Sequence, residues 1–181
     1  MLKTEITYHR VRSDEELEAI LKLQEANSKA TLSSAEQIKE GFVTVKHTTD
    51  LLERMNNFCP HMIAKYDGRV VAYALCMLES FRNDIPILIP MFTEIDKVVT
   101  TDLRYIVMGQ ICVAKSYRGQ GIFRGLYHYM ATELQSDFDM IITEVDASNT
   151  RSSGAHRSVG FKVLDTYHAN DHDWELIGLE I

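Results

Sequence analysis

Residues 105–130, YIVMGQICVAKSYRGQGIFRGLYHYM, constrain the fold more tightly than any other stretch of the chain. The first part is an apolar, β-branched run of strand length. Gly119 and Gly121 then fall in a bare, Arg-flanked turn, with Gly125 one helical turn further on. Beyond it, Phe123, Leu126, Tyr127, Met130 and Leu134 recur at the spacing of one helical face, an arrangement that points Phe123 to the core. A strand that turns sharply into an amphipathic helix needs a sheet for that helix to lie on. A layered structure of strands and helices follows.

The flanking sequence extends the pattern. ITYHRV alternates as a strand and leads into SDEELEAILKLQEAN, where Ser13 and Glu16 have the spacing of a capping box. SSAEQIKEGF and TTDLLERMNNF suit two further helices. HMIAKY and RVVAYALCML flank Asp67-Gly68, a two-residue connection that demands positive φ and marks a hairpin. DMIITEVDA suits a strand covered on both faces, TRSSGAHRSV a short helix capped by Gly160, and FKVLDTYH with WELIGLEI a closing strand pair. Pro86 and Pro90 argue against a central strand or regular helix in 80–102, which reads as a long loop. The expected fold is α/β (α+β) in one domain, 1–181, with a sheet bearing helices.

Composition narrows the function classes. A net charge of −7 argues against a nucleic-acid binder, whose phosphate contacts need a basic face, and tilts toward cationic partners. The charged start and the lack of a long apolar run predict neither a signal peptide nor a membrane span. Cys59, Cys76 and Cys112 are odd in number and far apart, which fits buried thiols in a cytoplasmic protein better than disulfides or a zinc site. No histidine grouping has metal-ligand spacing.

The glycine turn has the chemistry of an anion cradle. Unpaired amides at a helix start, together with the helix dipole, form a positive concavity. Glycines let a pyrophosphate come close, and Arg118 can add a charge-assisted bond. A P-loop needs Lys-Ser or Lys-Thr after its last glycine, whereas Ile122 and Phe123 follow here. A dinucleotide fingerprint needs G-x-G-x-x-G; this turn is one residue wider, although Glu144 lies roughly 20 residues on, where a ribose-binding acid would stand. A glycine turn that serves packing alone is the remaining alternative.

From 105 to about 165 the sequence resembles the GNAT superfamily of N-acetyltransferases. The family's Arg/Gln-x-x-Gly-x-Gly/Ala turn is matched by Arg118, Gly119, Gln120, Gly121, Ile122 and Phe123, with Phe123 departing at the last position. A second motif, NTRSSGAHRSVGF, puts Asn149, Ser152, His156, Gly160 and Phe161 at family positions, with His156 where relatives carry Tyr. The resemblance implies a mixed, mostly antiparallel sheet with a central parallel pair, helices on both faces, and acetyl-CoA as co-substrate without a metal. It implies direct attack by an amine, from a small molecule or a peptide. Residues 118–124, including Arg124, would hold the pyrophosphate; the backbone of Ile111, Cys112 and Val113 would hold the pantetheine arm. Asn149 and Ser152 would touch the cofactor or cap their helix, His156 would protonate the thiolate, and Glu79 or Glu144 would act as base. In the segment 80–102, Asp84, Glu94 and Asp96 would contact the acceptor, or the segment would cover the sheet or an interface such as that of a homodimer. A coenzyme A-binding module without turnover is the alternative function.

Overall fold

The computed structural model describes residues 5–28 and 45–181. In chain order its elements are strand β1 (Thr7–Arg10), helix α1 (Asp14–Ala26), α2 (Thr49–Phe58), β2 (Met62–Tyr66), β3 (Arg69–Met77), α3 (Ile89–Val98) and β4 (Tyr105–Val113), then α4 (Ile122–Leu134), β5 (Met140–Asp146), α5 (Thr150–Val159), β6 (Lys162–Ala169) and β7 (His172–Glu180). The helix expected in SSAEQIKEGF lies outside the described residues. The strand order is β1-β2-β3-β4-β5-β7-β6. Pairs β1–β2, β2–β3, β5–β7 and β6–β7 are antiparallel, and β4–β5 is parallel. This is the mixed, largely antiparallel sheet with one parallel pair that the resemblance implied.

Two compact units divide the chain: the described residues up to Cys76 with Gly109–Met130, and Met77–Met108 with Ala131–Ile181. In the first, Asp67 and Gly68 both take positive φ, 50° and 73°, and close the expected β2–β3 hairpin. Val11, Leu17, Ile20, Leu52, Ile63, Tyr73, Leu75 and Cys112 form a core that joins α1 and α2 to strands. The capping box at α1 is only half made. Ser13 makes no side-chain cap bond, while Glu16 accepts the Arg12 amide at 2.6 Å and meets Lys65 Nζ at 2.5 Å. The α4 stripe is anchored by Ile122, Leu126, Tyr127 and Met130; Phe123, expected in the core, is half-buried with its ring edge-on to Tyr127.

In the second unit the segment 80–102 holds a regular helix after all. Pro90 sits in the first turn of α3, where no amide is needed, and Pro86 opens the preceding 3₁₀ turn Pro86–Leu88. The prolines mark helix starts instead of excluding a helix. Strand register then sorts side chains onto two faces. Val145 pairs with Glu175, and Glu175 accepts hydrogen bonds from Ser153 and Arg157, so α5 covers that face. Glu144 pairs with Leu176 and therefore points to the opposite face, which α3 covers through contacts with β6 and β7.

Candidate active site

In the first unit the glycine turn has the geometry an anion cradle requires. Gly119 and Gly121 hold φ of +73° and +79°, a region that L side chains rarely adopt. A Cβ built on either meets nothing within 4 Å, so open space lies over the turn. The Gly125 amide closes the first turn of α4 on the Gly121 carbonyl at 2.9 Å, and the amides before it point out of the helix end. The turn is braced from within. Arg118 donates Nε–H to the Val113 carbonyl at 2.9 Å and Nη2–H to Asn27 Oδ1 at 2.6 Å. Gln120 donates to the Ser116 carbonyl at 3.2 Å, and Arg124 is exposed. Arg118 thus ties β4 and the end of α1 to the turn, in addition to the positive charge it brings.

Ile111 and Val113 are half-buried on β4, while Cys112 is buried, and burial pushes its thiol up to about 11. A thiol so raised is a poor nucleophile, in keeping with direct attack on a thioester. Beside it lies a polar cluster that sequence reasoning missed. Gln24 donates Nε2–H to His47 Nδ1 and to Gln110 Oε1, each at 2.9 Å, and accepts the His47 amide at 2.8 Å. Tyr73 donates to the same Gln110 oxygen at 2.6 Å, and Gln110 donates to the Val45 carbonyl at 2.9 Å. No periodicity or motif marks such a cluster, since its members come from α1, β3, β4 and the segment before α2.

The second unit holds the titratable candidates. Glu144, on β5, accepts a hydrogen bond from the Tyr167 hydroxyl. Burial raises its carboxyl from 4.5 to about 7, against the opposing pull of that bond. His156 is 2% exposed on α5, edge-on to Phe161, and its Nδ1 lies 2.9 Å from the Ser152 carbonyl. Burial lowers its pKa to about 4, so the ring rests neutral near pH 7. Asn149 Oδ1 caps α5 by accepting the Ser152 amide at 3.0 Å, and Ser152 Oγ lies 3.3 Å from His156 Nδ1. Since α5 and Glu144 occupy opposite faces, the structure does not bring His156 and Glu144 together on one face. Glu79, expected at the end of a strand, opens a 3₁₀ turn beyond β3 and is exposed. It pairs with Arg82 at 3.0 Å, and Arg82 also binds Asp96 at 2.7 Å.

The model of the acetyltransferase (GNAT) family matches residues 20–161. The chain belongs to the GNAT family. Solved structures of similar fold include a ribosomal-protein-alanine N-acetyltransferase from Brucella melitensis, 20% identical, TM-score 0.63, covering 97% of this chain and 99% of that one. Arabidopsis thaliana Naa50, in complex with a bisubstrate analogue, is 16% identical with TM-score 0.64 and the same two coverages, 97% and 99%. Salmonella typhimurium yncA, solved with its cofactor acetyl-CoA, is 14% identical, TM-score 0.63, covering 97% and 93%. No curated protein matches the chain.

This GNAT protein is an acetyl-CoA-dependent acetyltransferase. The geometry of the turn is compatible with that co-substrate: two glycines with open space above them stand at a helix start, where backbone amides would suit an anion. Among the described residues no group of His, Cys, Asp or Glu has the arrangement of a metal site. No described helix is long and apolar enough to cross a membrane.

Proposed function

We propose that the acceptor is a primary amine that directly attacks the thioester carbonyl of acetyl-CoA, with Glu144 as general base. The observation that supports this most is the Glu144 carboxyl, buried and brought to about 7, the proton affinity that suits a base working near neutrality. In the reaction the amine nitrogen bonds to the acetyl carbon and the C–S bond breaks. The amine's proton passes to Glu144, directly or through water, and coenzyme A leaves as thiolate. Residues 118–124 are assigned to the pyrophosphate and Ile111–Val113 to the pantetheine arm. The acidic balance of the chain, −7, favours a cationic acceptor. The two structural relatives named for N-acetylation or bound to a peptidyl analogue support an amine, with a peptide N-terminus among the candidates.

His156, on the face opposite Glu144, is proposed for the thiolate side only on two conditions: that the sulfur lies within its reach, and one set by its own chemistry. With Nδ1–H directed at the Ser152 carbonyl, it can protonate sulfur only after taking up a proton at Nε2, which its burial opposes. A loss of about a hundredfold in kcat for His156→Ala supports the acid role; a loss below about threefold assigns the ring to the packing of α5.

The test is a panel of polyamines, amino acids, aminoglycosides and short peptides, followed by coenzyme A release. At least one primary amine is expected to be acetylated, with kcat/KM rising through about pH 7 and that rise lost in Glu144→Gln. Acetylation confined to hydroxyl or thiol acceptors would overturn the proposal.

A further inference from the structure

We propose that Tyr167 is a positioning residue for the acetyl transfer: its phenol, donated to Glu144 across β7, holds that carboxyl in the orientation and ionisation from which it accepts the acceptor's proton. The inference rests on the reading of Glu144 as base. What carries it is a register shift in β6. Lys162 and Val163 pair with Gly178 and Ile177, but Asp165, not Leu164, pairs with Leu176. Paired regularly from Val163, Tyr167 would stand opposite Asp173 and point to the face covered by α5. With it, Tyr167 stands opposite Trp174, on the same face as Leu176 and Glu144. The bulge thus re-aims the rest of β6, and Tyr167 is the side chain that reaches Glu144.

The surroundings fix what the phenol can do there. Glu94 of α3, itself 7% exposed, bears on Tyr167 and is paired with Lys97 at 2.7 Å. On the same face of β6, Asp165 accepts the Thr166 amide at 2.7 Å, and on β5 Asp146 pairs with His172 at 2.8 Å. Glu175 of β7, with Ser153 and Arg157, belongs to the other face. Burial, with Glu144 and Glu94 beside it, keeps the Tyr167 hydroxyl protonated far above neutral pH. Tyr167 therefore donates a hydrogen bond and does not compete for the proton. That bond stabilises the carboxylate against the burial that raises it, so it sets where Glu144 titrates.

The experiment compares wild type, Tyr167→Phe and Glu144→Gln as full chains. The Glu144 side-chain carboxyl is titrated by ¹³C NMR, its signal assigned by its loss in Glu144→Gln, and kcat/KM is followed from pH 5 to 9.5 on the best amine of the panel. Tyr167→Phe is expected to move the carboxyl titration up by on the order of one pH unit, as loss of one hydrogen bond to a charged group does. The acid limb should follow, giving about a fivefold loss at pH 7 that vanishes near pH 9. A carboxyl titration that stays in place, with activity lowered evenly at every pH, overturns the role of Tyr167. If the limb survives in Glu144→Gln, the base reading fails and Tyr167's role falls with it. If Glu144→Gln loses the limb while Tyr167→Phe leaves it unmoved, Tyr167 alone is overturned.

Discussion

Glu144 shows how a single side chain links stability to chemistry. Its carboxyl holds its proton to about pH 7 in the native state and to about 4.5 when exposed. Between those values the native state binds more protons than the unfolded chain, so stability falls as pH rises through this window and is level above it. The full effect is roughly 3 kcal/mol against the fold above pH 7. Glu144→Gln is accordingly expected to match wild type near pH 4.5 and to exceed it at pH 8.5, as read from urea midpoints at the two pH values. Equal midpoints at both would show a solvated carboxyl. The position of Glu144 on a strand after the turn was legible in the sequence. Its partner was not, because Tyr167 reaches it only through the β6 bulge, a change of register that a period-two pattern does not announce.

At the scale of elements, the β4–α4 connection is the most informative. Gly121→Glu places a charged side chain and a disfavoured φ where the cradle is open; acetyl-CoA binding by calorimetry should fall at least tenfold while the circular-dichroism spectrum is kept. Gly125 answers to a different demand. A Cβ there would lie 1.9 Å from the Tyr8 hydroxyl and 2.3 Å from its ring carbon, so the glycine lets the β1 tyrosine pack against α4. Gly125→Ala should cost about 1–3 kcal/mol through this overlap, and Tyr8→Ala in the same chain should relieve part of the loss. A Gly125→Ala variant more stable than wild type, as helix propensity alone predicts, would show that Tyr8 swings away at no cost. The strand–turn–helix reading came from local pattern, and so did the hairpin at Asp67-Gly68. Helix α3 was missed because proline was read as an interrupter, whereas Pro90 occupies the one helical turn that tolerates it.

Three buried, neutral histidines contribute to the acid behaviour of the molecule. His47, His61 and His156 are each lowered to about 4, chiefly by burial. Unfolding frees them to bind protons from about pH 6.5 downward, so their stabilisation is complete above that value and is lost as pH falls toward 4. The loss is roughly 3 kcal/mol for each ring. Urea midpoints should drop steeply between pH 6.5 and 4.5, and His156→Phe should flatten the drop. A midpoint independent of pH in this range would mean that the rings reach solvent in the native state.

The sequence by itself determined the order of most elements, the glycine turn and the family, because strand and helix periods, turn glycines and short motifs are local properties of the chain. Tertiary structure alone decided which side chains meet. Gln24, His47, Tyr73 and Gln110 converge from four separate segments, Arg118 turns back to Asn27, and Glu144 receives Tyr167 while His156 lies behind the other face. These pairings depend on strand register and on which helix covers which face, and the burial that shifts each proton affinity arises only when those faces close.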